Sequence, residues 1–131
     1  MKAPPLPAND SSAIVIRPVQ GRADLETFIR LPWSLQGRDP CWVPPFLAQQ
    51  RHFLSPRTGP FFEHGEAELF LACRDGRPVG RLSAHVNHAY EQHHDARTGF
   101  FGFFECADDP AAATALFEAG AAVLRARGKT R

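Results

Sequence analysis

The seven residues Glu105-Cys-Ala-Asp-Asp-Pro-Ala111 set a thiol among carboxylates where an apolar run gives way to an alanine-rich one. A thiol near a helix N-terminus loses its proton more easily, so Cys106 could act as a nucleophile if His64 or His85 came close in space. Against that stands a plainer reading, a small buried cysteine. Asp109 has the short acceptor side chain of an N-cap, and Pro110 suits a first helical turn. Asp108 and Asp109 thus read as a cap with a solvated neighbour. The same helix start, with unsatisfied N–H groups and a positive dipole end, is also where phosphates bind. Two aspartates work against that use, since like charges at roughly 4 Å cost about 1 kcal/mol even in water. A second donor-rich group, His85, His88, His93, His94 and Asp95, offers the imidazoles and carboxylate that zinc accepts. Their spacing matches no metal motif, so they read as solvated histidines and no metal is expected.

These side chains need elements to position them. Phenylalanine fills four of the five positions Phe100–Phe104, a composition unfavourable to expose, so the strand Gly99–Glu105 is expected in the middle of a sheet. Glu105 is its one carboxylate. Beyond Asp109, the residues Leu116, Ala119, Gly120, Val123 and Leu124 make one apolar helix face, and Gly128 is the stop. Upstream, Glu66–Arg74 and Pro78–Val86 flank the turn pair Asp75-Gly76 and read as a β-hairpin. Residues 87–98 connect it to the phenylalanine strand. Ala13–Pro18 is β-branched and short, a strand. Asp24–Leu31 carries Leu25, Phe28 and Ile29 at helical spacing, with Asp24 or Gly21 near the cap, and Pro32 stops or kinks that helix. An irregular aromatic stretch follows over residues 33–46, then a helix opened by Pro45 and running to about Leu54, then a loop over residues 55–60. The order β-α-α-β-β-β-α predicts an α/β class, α+β by strand order, with a mixed and mostly antiparallel sheet.

The chain has 131 residues, enough for one domain with a core. A formal net charge of +1 gives no electrostatic reason to expect nucleic acid or membrane as a partner. Cys41, Cys73 and Cys106 are far apart and odd in number, which suggests reduced thiols and a cytoplasmic location. Residues 1–12, rich in proline, lack the apolar core of a signal peptide and read as a disordered tail, leaving residues 13–131 as the domain.

The element order resembles the first half of the GNAT fold, that of the acyl-CoA N-acyltransferases. The resemblance rests on the strand Ile14-Val-Ile-Arg-Pro18, the helix opening Asp24-Leu25, and Leu71-Ala72 ahead of the hairpin Asp75-Gly-Arg-Pro-Val-Gly80-Arg81. More narrowly, Pro32, Trp42-Val-Pro-Pro45, Phe61-Phe-Glu-His64, Gly80-Arg81 and Gly99-Phe-Phe-Gly-Phe-Phe-Glu105 are similar to a little-characterised bacterial GNAT-like group whose members are longer. The resemblance implies a fifth strand that splays from the fourth, with the pantetheine arm of acetyl-CoA or another acyl-CoA entering between them. Phe103, Phe104 and Glu105 would then lie at the acyl-CoA end of the fourth strand. Cys106, Ala107, Asp108, Asp109, Ala111 and Ala112 would fall in the pyrophosphate loop, although the glycines usual there are missing until Gly120. Glu105 would be the general base, acting through a water on a small-molecule amine. Trp33 and Trp42, with Phe46, Phe61 and Phe62, would line an acceptor pocket or simply fill the core.

The usual general-acid tyrosine would lie beyond Arg131, and Tyr90 is not its counterpart. On this reading the chain is the N-terminal portion of an N-acyltransferase, inactive as a fragment. The alternatives are a degenerate GNAT-like scaffold or ligand sensor and, third, a metal-binding module. Without a fifth strand Phe100–Phe104 would stand at an open sheet edge, a hazard unless further chain or a second copy covers it.

Overall fold

The turn residues set the hairpin at the centre of the sheet. In the computed structural model, which describes residues 13–131, β2 (Gly65–Arg74) and β3 (Arg77–Asn87) pair antiparallel around Asp75 and Gly76. Both turn residues have positive φ, 53° and 75°, giving the twist that suits a two-residue hairpin loop. The tail read over residues 1–12 lies outside the described residues. β1 (Ile14–Pro18) pairs antiparallel with β2, and β4 (Phe100–Cys106) pairs antiparallel with β3. The order β1-β2-β3-β4 makes an antiparallel sheet in an α+β domain, the class the sequence suggests.

Alternation along the strands gives the sheet two apolar faces, and each has its own helix cover. On one face, Leu116 and Leu124 of α4 (Pro110–Ala126) pack with Phe70, Ala72, Leu82 and Ala84. On the other, Phe28 and Ile29 of α1 (Gly21–Gln36) and Leu54 of α2 (Leu47–Leu54) cover Leu71 and Cys73. Fully burying a side chain such as Phe28 or Leu116, each 0 % exposed, contributes roughly 1.5–3 kcal/mol. Among the described residues no helix is long and apolar enough to cross a membrane.

Several expectations are corrected. α1, which opens at Gly21, runs through Pro32 to Gln36 without stopping. A proline has no N–H for the carbonyl four residues back, here that of Phe28. That carbonyl accepts instead from Arg81 Nη1 at 2.7 Å, so a side chain from the sheet replaces the lost helical bond. α2 starts at Leu47, which leaves Pro45 outside it. The connection after β3 holds a one-turn helix, α3 (His88–Glu91), whose cap Asn87 accepts from the Tyr90 N–H at 3.0 Å. None of Trp33, Trp42, Phe46, Phe61 and Phe62 joins the buried core, and Phe46 is 80 % exposed. Trp33 and Trp42 meet edge to face at 5.4 Å.

β4 lies at the sheet edge, where the lack of a fifth strand is expected to leave it, and not in the middle that its composition suggests. The register jumps from Ser83↔Gly102 to Arg81↔Glu105, so Phe103 and Phe104 together oppose Leu82 in a β-bulge. Phe103 adopts the left-handed conformation there, with φ 52°. The bulge turns Phe104 to the α4 face, where it and Phe101 pack on Phe117 at 4.8 and 5.3 Å. Phe103 and Glu105 face α1. Helix contacts, not flanking strands, thus half-cover the aromatic run.

After α4, Gly128 takes a φ of 78° and the chain returns to β4. The Arg131 N–H donates to the Arg97 carbonyl at 3.1 Å, and the Gly99 N–H donates to the Arg131 carbonyl at 2.7 Å. This is the bonding pattern of parallel strands, at the start of β4. Lys129 is buried beside it, its ammonium on the Glu91 carboxylate and 2.6 Å from the Ala96 carbonyl.

Candidate functional site

Two-residue alternation puts Arg81, Ser83 and His85 of β3 on the α1 face, next to Phe103 and Glu105 of β4. Arg81 organises this face. It is 6 % exposed, and its guanidinium lies 4.9 Å from the Phe28 ring and 5.7 Å from the Phe103 ring. Its Nε donates to the Phe103 carbonyl at 3.0 Å, which ties down the left-handed residue of the bulge. Burial pulls the Arg81 pKa below the ordinary arginine value, and the Glu105 charge opposes that shift. One residue thus joins the proline-interrupted helix to the bulged strand.

Glu105 extends past the bulge towards the end of α1, where its Oε2 accepts from Gln36 Nε2 at 2.5 Å. Trp33 lies one helical turn before Gln36, which brings the Trp33–Trp42 pair to the same end of α1. On the other side of Phe103, Ser83 is fully buried, and its hydroxyl has no hydrogen-bond partner among the described residues. His85 packs between Phe61, at 5.3 Å, and Phe103, at 6.5 Å. Burial lowers the His85 pKa, favouring the neutral ring. Gly102 is the floor beneath them: a Cβ there would come within 2.7 Å of His85 Cε1 and 3.1 Å of Ser83 Oγ.

The start of α4 is occupied by its own carboxylate. Asp109 accepts from the Ala112 N–H at 3.2 Å and from Arg74 Nε and Nη2 at 2.8 and 3.0 Å. The Arg74 bond, foremost, holds the Asp109 pKa below the usual carboxylate value. Ala112 is fully buried and Asp108 is exposed. The Ala112 N–H at the start of α4 is therefore answered by Asp109, as an N-cap. Cys106 turns to the α4 face with Phe104, its Sγ 3.9 Å from the Asp109 carbonyl. Burial first, then the Asp109 charge, raises its pKa, which works against the thiolate a nucleophile needs. Ala107 packs on the same core. Of the residues the sequence grouped at this junction, Phe103 and Glu105 share one face of the sheet, while Phe104, Cys106 and Ala107 serve the other.

The histidines disperse. His88 bonds Glu66 at 3.0 Å and Glu91 at 3.3 Å, which raises its pKa, the Glu91 contact contributing most. His94 stacks on Tyr90 at 4.4 Å. Among the described residues no group of three or more histidine, cysteine, aspartate or glutamate side chains could hold a metal ion. A larger cleft of about 1290 Å³ lies between α1, α2 and the ends of β1 and β2, lined by Val19, Leu25, Leu54, Leu69 and Arg22. In its lining Arg51 grips Glu26 at 2.6 Å, joined by Arg30 at 2.9 Å, and these bonds hold the Glu26 pKa down at about 2. None of the residues around Glu105 lines this cleft. Volume alone would point there, but Ser83 Oγ, the buried side-chain atom without a partner among the described residues, lies by the bulge.

Sequence reasoning missed Gln36, Arg81 and Ser83. The signal for Arg81 is Pro32, since a buried proline inside a helix implies that some other donor reaches the freed carbonyl.

No protein-family model matches the chain, and no solved structure matches it. Among curated proteins it is similar to the bacterial ceramide synthase of Caulobacter vibrioides (strain NA1000 / CB15N), with 42 % identity over 127 residues, covering 95 % of this chain and 33 % of that protein. It is also similar to protein YghO of Escherichia coli (strain K12), with 32 % identity over 117 residues, covering 89 % of this chain and 30 % of YghO. The chain thus spans about a third of the length of these relatives.

Proposed function

We propose that the chain is the N-terminal part of a GNAT-like domain, and that the whole protein joins an acyl group to a long-chain amine to form an amide. The observation that carries this reading is the form of β4. Thr130–Arg131 runs parallel beside its start, the bulge at Phe103–Phe104 bends it, and Glu105 stands beyond the bulge on Gln36. A fifth strand continuing from Arg131 would part from β4 at the bulge and leave a wedge for an acyl thioester such as that of CoA. Similarity to a ceramide synthase supports the product, because a ceramide is a long-chain amino alcohol acylated on nitrogen.

In the step proposed, the amine nitrogen attacks the thioester carbonyl and the thiolate leaves as the amide forms. The amine proton passes through a water to Glu105. Gln36 holds Oε2 and leaves Oε1 for that proton. Backbone N–H groups at the bulge polarise the carbonyl oxygen. No diphosphate contact is assigned to α4, whose start Asp109 fills. That filled helix start favours a second reading, a GNAT-like scaffold or ligand-sensing domain without catalysis.

The test incubates the whole protein with a long-chain acyl-CoA and a long-chain amino alcohol and follows the amide by mass spectrometry. Glu105→Gln is expected to lower the rate by about 10²–10⁴-fold with the fold intact. Absence of amide from the wild-type protein, or a Glu105→Gln variant within about threefold of it, would reject the reading.

A further inference from the structure

The cleft between α1, α2 and the ends of β1 and β2 combines an apolar wall with cations that have no acid to hold. Val19, Leu25, Phe62 and Leu69 stand half-exposed along it, with the buried Ile29 and Leu54 behind them. Apolar side chains gathered around a concave space are the usual lining of a small-molecule site. At about 1290 Å³ the space exceeds the roughly 300–1,000 Å³ typical of such sites, which suits a long chain. The wall itself offers a ligand little to bond, since the Val19 N–H already donates to the Leu69 carbonyl at 2.8 Å.

Charge in the cleft is one-sided once its internal pairs are counted. Both lining carboxylates are answered, Glu26 by Arg51 and Arg30, and Glu68 by Arg127 at 3.8 Å. Arg22, at the start of α1, and Arg57, in the loop after α2, are exposed and line the same cleft. Neither guanidinium has a partner among the described residues. The loop that carries Arg57 is fastened. The Ser55 carbonyl accepts from the Thr58 and Gly59 N–H groups at 3.2 and 2.8 Å, and the Thr58 hydroxyl donates to the His52 carbonyl at 2.8 Å.

We propose that this cleft binds a long-chain amphiphile with a compact anionic head, a carboxylate or a phosphate monoester. The alkyl chain lies along Leu25 and Leu69, and the head is taken by Arg22 and Arg57. Arginine makes charge-assisted and often bidentate bonds to either head group. The chain and the half-exposed wall leave water together. A long-chain amine, such as the acceptor proposed above, would meet two cations instead. The site is separate from Glu105, because Leu25 and Gln36, the partner of Glu105, lie about 16 Å apart along α1. It does not depend on the acyl-transfer reading.

The experiment titrates the whole protein by calorimetry with palmitate and with hexadecyl phosphate, both below their micelle concentrations, and with hexadecylamine as the cationic counterpart. Palmitate is expected to bind one molecule per chain, and hexadecylamine at least about tenfold more weakly. Arg22→Gln and Arg57→Gln, at exposed positions, should each weaken palmitate and hexadecyl phosphate about fivefold with the fold intact. Leu25→Trp, which fills the cleft, should abolish binding, and the arginine variants decide the matter if it does not fold. Arg38→Gln, outside the cleft, and Glu105→Gln should stay within about twofold of the wild-type protein. No saturable binding of palmitate, equal affinity for hexadecylamine, or unchanged affinity in both arginine variants overturns the inference. Binding to anionic phospholipid vesicles without binding of monomeric palmitate also overturns it, making this face a membrane contact. No turnover is read, so a protein that forms no amide can still bind palmitate, and the two readings fail separately.

Discussion

Arg81→Met tests whether the sheet repairs the helix that Pro32 interrupts. The substitution removes both bonding nitrogens of the guanidinium, leaving the buried Phe28 carbonyl and the part-buried Phe103 carbonyl without these partners. Each such carbonyl costs about 1–3 kcal/mol, and the lost contacts with two aromatic rings add about 0.5–1 kcal/mol each. Relief of the guanidinium's own desolvation offsets part of this, so a net loss of about 3 kcal/mol is expected. With a urea slope of about 1.5 kcal/mol/M, the midpoint should fall by about 2 M. The decisive comparison adds Pro32→Ala. That change restores an N–H that can bond the Phe28 carbonyl along the helix, so Arg81→Met then strands only the Phe103 carbonyl. Its effect should shrink to about 1.5 kcal/mol, a coupling of about 1.5 kcal/mol between residues that share one acceptor. Equilibrium urea unfolding of the four proteins closes the cycle. Additivity to within about 0.5 kcal/mol would refute the link.

The start of α4 gives a simpler test: Asp109→Ala should lower the urea midpoint by about 0.7–1 M, and Asp108→Ala by less than about 0.3 M. The carboxylates of Glu26 and Asp95 are both held down at about 2, so the stability they contribute is present above the usual carboxylate range and lost as pH falls through about 2. The two perturbed histidines act in opposite senses. His85 is lowered, so its contribution is lost as pH falls below the ordinary value of about 6.5, whereas His88 is raised and contributes most below that value, fading as pH rises through its folded pKa. Between pH 7 and 5, about the range of histidine titration, His85→Gln should flatten the loss of stability on acidification and His88→Gln should steepen it, as measured by urea midpoints.

The hairpin and the capped α4 are legible in the sequence because local rules settle them. Asp75-Gly76 admits few turns, and Asp109-Pro110 opens a helix in almost any setting. The extent of α1 is not legible, because the residue that sustains it beyond Pro32 lies far along the chain at Arg81. Composition suggests a central place for Phe100–Phe104, but edge and centre are decided by pairing, and a left-handed Phe103 leaves no mark in a sequence. Glu105 is identifiable as the carboxylate of its strand. Its partner Gln36, and the convergence of Ser83 and His85 over Gly102, arise only when separate elements meet.

The two-residue turn between β2 and β3 also bears on how fast the domain assembles. Closing so short a loop takes little entropy, and β4 joins β3 after only residues 88–99, so the β2-β3-β4 meander can form early. β1 reaches β2 only across residues 19–64, and α1 must dock on a sheet already laid down. The bond that Arg81 makes to the Phe28 carbonyl therefore belongs to the late side of the barrier, where it chiefly slows unfolding. By the same logic a change at Asp75 or Gly76 chiefly slows folding. The sheet face that carries Ser83, His85 and Phe103 is complete in its strands before the helix that covers it arrives.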